Sequence, residues 1–181
     1  CIINNLTKIF QILFIKEVPM KILTVYYSLD GNTQLIAEQI KSAVNGDILR
    51  IKPVHDNNKK GLFKLLSGGR QVFKNEKPEL EPFDINPAEY DLIFIGTPVW
   101  AGSFAPALNT FLAENSIQNK NIALFCCSRG GKGKVFIKLH DILRDNNIIG
   151  ETEFLSPVKS DPKEVNAKVS SWVDEIIEKL D

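Results

Sequence analysis

The stretch Lys21-Ile22-Leu23-Thr24-Val25-Tyr26-Tyr27-Ser28-Leu29-Asp30-Gly31-Asn32-Thr33 changes periodicity partway along. Ile22 to Tyr27 is an almost unbroken apolar run, rich in β-branched and aromatic residues. Such a run predicts a central strand covered on both faces, where no polar side has to alternate with an apolar one. Beyond it, Leu35, Ile36, Ile40 and Val44 recur at helical spacing, which predicts a helix over 33–44. Between the two lie short polar residues and a glycine, the composition of a strand-to-helix turn. A doubly covered strand that runs into a helix opens a βαβ unit.

The same alternation continues outward. Strands are predicted over 47–54, 91–96, 121–127 and 148–158, and helices over 105–114, 135–144 and 162–180. Pro162 sits near the first-turn position that tolerates proline. A long connection, 55–90, interrupts the rhythm. It carries a basic, glycine-containing piece from Lys59 to Arg70 and a proline-marked stretch with Pro78, Pro82 and Pro87. Leu62, Phe63, Leu65, Leu66 and Val72 predict a helix inside it, and the proline stretch is expected to be irregular. Five strands and about five helices, with no repeat and no low-complexity tract, fit an α/β domain built on one doubly wound parallel sheet with helices on both faces.

Composition narrows the function. The chain has 181 residues, 44% of them hydrophobic and 24% charged, enough for one domain with a real core. Lys+Arg and Asp+Glu are equal at 22 each, so no overall field draws in nucleic acid or an acidic membrane. Three cysteines, two of them the adjacent Cys126 and Cys127, make a poor disulfide framework and point to reduced thiols in a cytoplasmic compartment. The only methionine is Met20, directly before the first strand. Residues 1–19 are therefore expected to be an extraneous N-terminal extension, with the domain proper over 20–181. The apolar run from Ile9 to Ile15 is far shorter than the ~18 residues a membrane span needs.

In doubly wound sheets, ligands bind outside the carboxyl ends of the strands, where the strand order reverses. The residues after strands one, three and four are therefore the candidates. After the first come Ser28, Asp30, Gly31, Asn32 and Thr33 at a helix start, where unpaired N–H groups and the helix dipole favour an anion. Neither Gly-x-x-x-x-Gly-Lys nor Gly-x-Gly-x-x-Gly is present, which excludes a nucleoside-triphosphate loop and the dinucleotide fingerprint. The competing reading is an ordinary turn with an Asn or Thr cap. After the third strand come Thr97, Pro98, Val99, Trp100, Ala101 and Gly102, where an indole offers a flat apolar face to a planar ring or simply fills a gap between loops. After the fourth come Ser128, Arg129, Gly130, Gly131, Lys132, Gly133 and Lys134, a glycine-rich, locally cationic loop that could equally be a solvated turn.

Together these residues carry a resemblance. Ser28-Leu29-Asp30-Gly31-Asn32-Thr33 resembles the flavodoxin phosphate loop, Ser/Thr-x-(Ser/Thr)-Gly-Asn-Thr. The stretch from Tyr90 to Gly102, with Pro106 and Phe111 beyond, resembles the second flavin loop of the broad flavodoxin family of bacteria. The likeness covers the chain from Met20. It implies strand order 2-1-3-4-5 and flavin mononucleotide (FMN) as cofactor, with the phosphate at the first loop and the isoalloxazine between the second and third. Two departures stand out. The third position of the phosphate loop is Asp30, an anion, so its side chain turns outward or FMN binds more weakly. The third loop is basic and lacks an aromatic residue, unlike that of acidic electron-carrier flavodoxins.

Those cations tilt the expectation toward an NAD(P)H-dependent FMN reductase of quinones or other small acceptors. The alternative is a non-enzymatic electron carrier that docks a partner redox protein, and a homodimer is left open. No side chain is singled out as catalytic and no metal-ligand spacing is found. His55 and His140 fall outside the three loops. At least one of Cys126 and Cys127 is expected to be a buried small residue, because neighbouring strand residues face opposite ways.

Overall fold

Alternate residues of the first strand enter different cores, which is why its sequence is apolar throughout. Leu23, Val25 and Tyr27 belong to one buried cluster and Ile22 and Tyr26 to another. The computed structural model describes residues 20–54 and 77–180. The extension over 1–19, the helix expected around 62–72 and His55 lie outside the described residues.

The described elements run in the order β1 (Ile22–Tyr26), α1 (Asn32–Val44), β2 (Asp47–Arg50), β3 (Leu92–Pro98), α2 (Pro106–Glu114), β4 (Asn121–Ser128), α3 (Val135–Ile142), β5 (Asn147–Leu155) and α4 (Pro162–Glu178). All five strands are parallel and lie in the order β2-β1-β3-β4-β5. Helices α2 and α3 cover the face that holds Leu23 and Val25, and α1 and α4 cover the other. The predicted α/β class, sheet, strand order and two-sided helix cover are therefore all present.

Packing sets the local details. Phe125 of β4 lies over Gly96 of β3, where an added Cβ would come within 2.1 Å of the ring, so only glycine lets these strands pair with that phenyl between them and α4. Trp172 of α4 meets Phe94, Phe125 and Phe154 edge-on at 5.6–6.5 Å. Helix α4 starts as its sequence predicts, with the Asp161 carboxylate accepting the Lys163 N–H at 2.8 Å and Pro162 in the first turn.

Three predicted strands end early, the first by one residue, at Tyr26. The second stops at Arg50 rather than continuing to residue 54; Pro53 instead forms an isolated antiparallel bridge with Leu80. The last stops at Leu155 rather than 158, because Ser156 turns into the left-handed region at φ 44° and Pro157 opens a short 3-10 turn. Two others gain residues, and the gain falls at the candidate site: β3 runs on to Pro98 and β4 to Ser128.

Candidate functional site

Strand order reverses between β1 and β3, so their carboxyl ends open a crevice between neighbouring loops. A cavity of about 210 Å3 lies there, lined by Leu29, Asp30, Asn32, Pro98, Val99, Trp100, Cys127, Ser128 and Arg129. The three loops singled out from the sequence therefore meet at one place. Leu29 and Cys127 are the lining residues outside the sequence candidates, although both stand in or next to the candidate loops. Leu29 was hidden as the apolar residue inside a polar motif, and Cys127 as a strand residue.

The first loop supplies polar groups without partners. Gly31 sits at φ 87° as the N-cap of α1 and offers no capping side chain, so the helix's first N–H groups receive no cap from it. Ser28 is 2% exposed and Thr33 fully buried, yet neither hydroxyl has a hydrogen-bonding oxygen or nitrogen; Thr33 has only the Cys127 thiol beside it. Buried hydroxyls left in that state cost about 1–3 kcal/mol each. Asn32 lines the cavity and also serves the fold: its Oδ1 accepts the Val158 N–H at 3.1 Å and ties the turn after β5 to this loop.

Asp30 turns toward the third loop. Its Oδ1 accepts the Asn32 N–H at 3.3 Å, and its Oδ2 pairs with Arg129 Nη2 at 3.2 Å. Burial pushes this carboxyl up, but the hydrogen bonds from Asn32 and Arg129 outweigh it and hold Asp30 below its ordinary value of 3.8.

In the second loop the hydroxyls are internal. The fully buried Thr97 Oγ1 accepts the Ala105 N–H and donates to the Pro98 carbonyl, each at 3.0 Å, which fixes the path between β3 and α2. Trp100 and Ser103 exchange both backbone hydrogen bonds, at 2.8 and 2.9 Å, around Ala101 at φ 47° and Gly102 at φ 73°. Two central residues at positive φ make a type I′ turn, strained at Ala101, where a Cβ disfavours that region. The Trp100 indole rests edge-on against Tyr27, with centroids 5.5 Å apart. Val99 N–H donates to the Cys127 carbonyl at 2.9 Å, and Lys138 Nζ holds Ser103 Oγ at 2.8 Å.

The third loop packs on the second, backbone to backbone. A Cβ on Gly133 would lie 2.6 Å from the Gly102 Cα, and Lys134 N–H donates to the Gly102 carbonyl at 2.8 Å. Ser128 lines the cavity with its hydroxyl committed: it donates to Glu153 at 2.5 Å and accepts the Gly131 N–H at 3.0 Å. Of the three cations in this loop, Arg129 alone lines the cavity. Lys132 pairs with Glu151 at 3.4 Å and lies over the Phe136 ring. Gly130 and Gly131 follow Arg129 without reaching the lining.

Cys126 and Cys127 are both buried and unpaired. Burial pushes the Cys126 thiol up to about 12 and the Cys127 thiol higher still, so neither is poised as a thiolate. His140 is exposed, with Nε2 3.2 Å from Glu151. Among the described residues, no cluster of His, Cys, Asp and Glu could hold a metal ion, and no helix is long and apolar enough to cross a membrane.

Comparison with known proteins gives concordant results. Residues 21–175 match the model of the family described as flavodoxin. A candidate flavoprotein from Bacteroides eggerthii is 26% identical, with a TM-score of 0.66 over 87% of this chain and 98% of that one. A flavoprotein from Lactobacillus acidophilus, solved in complex with FMN, is 27% identical, with a TM-score of 0.57 over 77% and 96%. Flavodoxin 2 from Bacillus cereus shares the fold at 21% identity and a TM-score of 0.54, over 88% and 99%.

Proposed function

The chain belongs to the flavodoxin family, and from that premise we propose that it is an FMN-dependent oxidoreductase of the cytoplasm, taking electrons from NADH or NADPH and passing them to a quinone or another small acceptor. FMN is its cofactor, as the family and the FMN complex of the Lactobacillus acidophilus relative support. The observation that carries the binding site is the meeting of all three loops at one cavity; the buried hydroxyls of Ser28 and Thr33, which bond to no oxygen or nitrogen, flank its lining residues Leu29, Asp30 and Asn32 in the chain.

The donor set fits the group. A phosphate monoester would take Ser28, Thr33 and the N–H groups around Gly31, without any lysine. Pro98, Val99 and Trp100 would flank the ring, with Ala101 and Gly102 at the turn beside it. When bound, the flavin supplies the electron chemistry. The protein orients it, screens one side with Trp100, and places Arg129 at the cavity wall. A cation there favours negative charge on the ring and hence electrons taken in pairs, which supports the enzyme reading. The Asp30 carboxylate offsets part of that charge.

The carrier reading draws on a different observation. Leu155 and Val158 are 59% and 55% exposed, in the segment whose backbone is tied to Ser128 and Asn32 beside the cavity. Exposed apolar residues near a redox centre suit docking to a partner protein. Turnover decides between the two. FMN-loaded protein given a nicotinamide and a soluble quinone is expected to consume both. Reduction only by a partner redox protein would establish the carrier.

A further inference from the structure

The loop that leaves two hydroxyls open for an anion also contains an anion of its own. Among the lining residues, Asp30 is the one carboxylate, and it occupies part of the donor set. Its Oδ1 takes the Asn32 N–H, one of the helix-start groups that would otherwise face a ligand, and its Oδ2 takes the Arg129 guanidinium. The deeper donors, Ser28 and Thr33, stay unpartnered two and three residues away. Its environment keeps the Asp30 carboxyl ionised at neutral pH.

We propose that Asp30 is a built-in competitor for the phosphate of the flavin, and that Arg129 exchanges partners, from the Asp30 carboxylate to the phosphate, as the cofactor enters. The inference rests on the FMN reading and deepens it. Three features make the exchange feasible. The ion pair is exposed, with 39% of the Asp30 side chain and 74% of the Arg129 side chain accessible, and such pairs are weak. A phosphate brings nearly two charges and three acceptor oxygens against one carboxylate. Arg129 is followed by Gly130 and Gly131, the latter at φ 117°, so its backbone borders a segment free of Cβ constraints.

The pair thus sets how the site ranks flavins. Among oxidised flavins, whose ring is neutral, Asp30 disfavours only those that carry the phosphate, and Arg129 favours only those. Riboflavin has the same ring without the phosphate and is indifferent to both residues.

The test is the affinity of apoprotein for FMN and for riboflavin, read by flavin fluorescence, in the wild type, Asp30→Asn and Arg129→Gln. Asn keeps an acceptor for the Asn32 N–H, and Asp30→Ser serves as a second variant if the first folds poorly. Asp30→Asn is expected to bind FMN about tenfold more tightly, and Arg129→Gln about fivefold more weakly, with riboflavin unchanged in all three. FMN affinity that stays the same or falls in Asp30→Asn overturns the competition, as does a parallel shift of riboflavin. Inorganic phosphate, followed by the Asn32 amide resonance, separates this inference from the cofactor reading. If no chain binds flavin but phosphate binds Asp30→Asn more tightly than wild type, the competition stands and the FMN reading falls. Equal phosphate binding with normal FMN binding sinks only the competition.

Discussion

The first loop and the two loops facing it are made of similar residues used in opposite ways. Ser28 and Thr33 are buried hydroxyls with their bonds unmade, whereas Thr97, Ser103 and Ser128 are hydroxyls with their bonds made inside the protein. Open groups cost stability in the free protein and gain affinity when a ligand arrives. Closed groups gain stability and only position what lies beside them. A hydroxyl near a cavity is therefore a ligand contact or a scaffold element according to its partners, not its distance.

The largest effect should come from closing that contrast at the first loop. The double change Ser28→Ala, Thr33→Val is expected to weaken FMN binding by more than about a hundredfold while leaving riboflavin binding unchanged and raising apoprotein stability, since hydrogen bonds to a charged group are worth ~1.5–3 kcal/mol each and the unmade bonds no longer cost anything in the free protein. A fall in melting temperature instead would mean that these hydroxyls serve the fold. Thr97→Val reverses the expectation. Removing its hydroxyl strands the buried Ala105 N–H, so chemical denaturation should show a loss of about 1–3 kcal/mol, with affinity falling only through disorder of the loop. Trp100→Ala tests the apolar wall. Loss of stacking of about 1 kcal/mol corresponds to a roughly fivefold weaker affinity for both flavins, with relief of fluorescence quenching. If FMN weakens but riboflavin does not, Trp100 is not against the ring.

Smaller effects concern strain and charge. Ala101→Gly should stabilise the apoprotein by up to about 1 kcal/mol in denaturant titration, because glycine accepts φ 47° without the Cβ conflict and gives back part of the gain as entropy. The smallest is a pH effect. Asp30 is depressed below 3.8 in the folded protein, so its contribution to stability is present above 3.8 and is lost as pH falls through the lower folded value. Stability of wild type and Asp30→Asn should therefore differ by a constant amount near neutrality and change in slope only as pH falls toward and below 3.8, and a difference in slope near neutrality would contradict the assigned partners.

Much of the fold is legible in the sequence. The runs at Ile22 and Leu92 are apolar on both faces because both faces are covered, so sequence periodicity reported the layering directly. The loops were legible because glycine and short polar residues punctuate the strand ends. Strand ends failed where a single backbone angle decided them: Ser156 at positive φ stops β5, and nothing in its identity announces that. Partners were not legible at all. Asn32 and Ser128 line the cavity, but their sequence does not show that one also accepts the Val158 N–H of the segment after β5 and that the other also braces its own loop against Glu153. The three cations of the third loop looked equivalent, but Glu151 holds Lys132, while Arg129 lines the cavity against Asp30. Those assignments depend on residues far apart in the chain.

The register of β1 against β3 bears on how the protein reaches its native state. Ile22 pairs with Leu92, and Tyr27 N–H donates to the Gly96 carbonyl, so the crevice requires strands separated by a long stretch of chain to meet. The β1–α1–β2 unit is local and can assemble early, complete with the first loop. The walls supplied by Trp100 and Arg129 arrive only when β3 and β4 join β1, a long-range pairing that is entropically slow in parallel sheets. A compact but wrongly paired chain thus has half a site and little affinity. Flavin added during refolding should bind in step with the slowest topological phase, and by mass action it will hold the chain in the topology that phase produces.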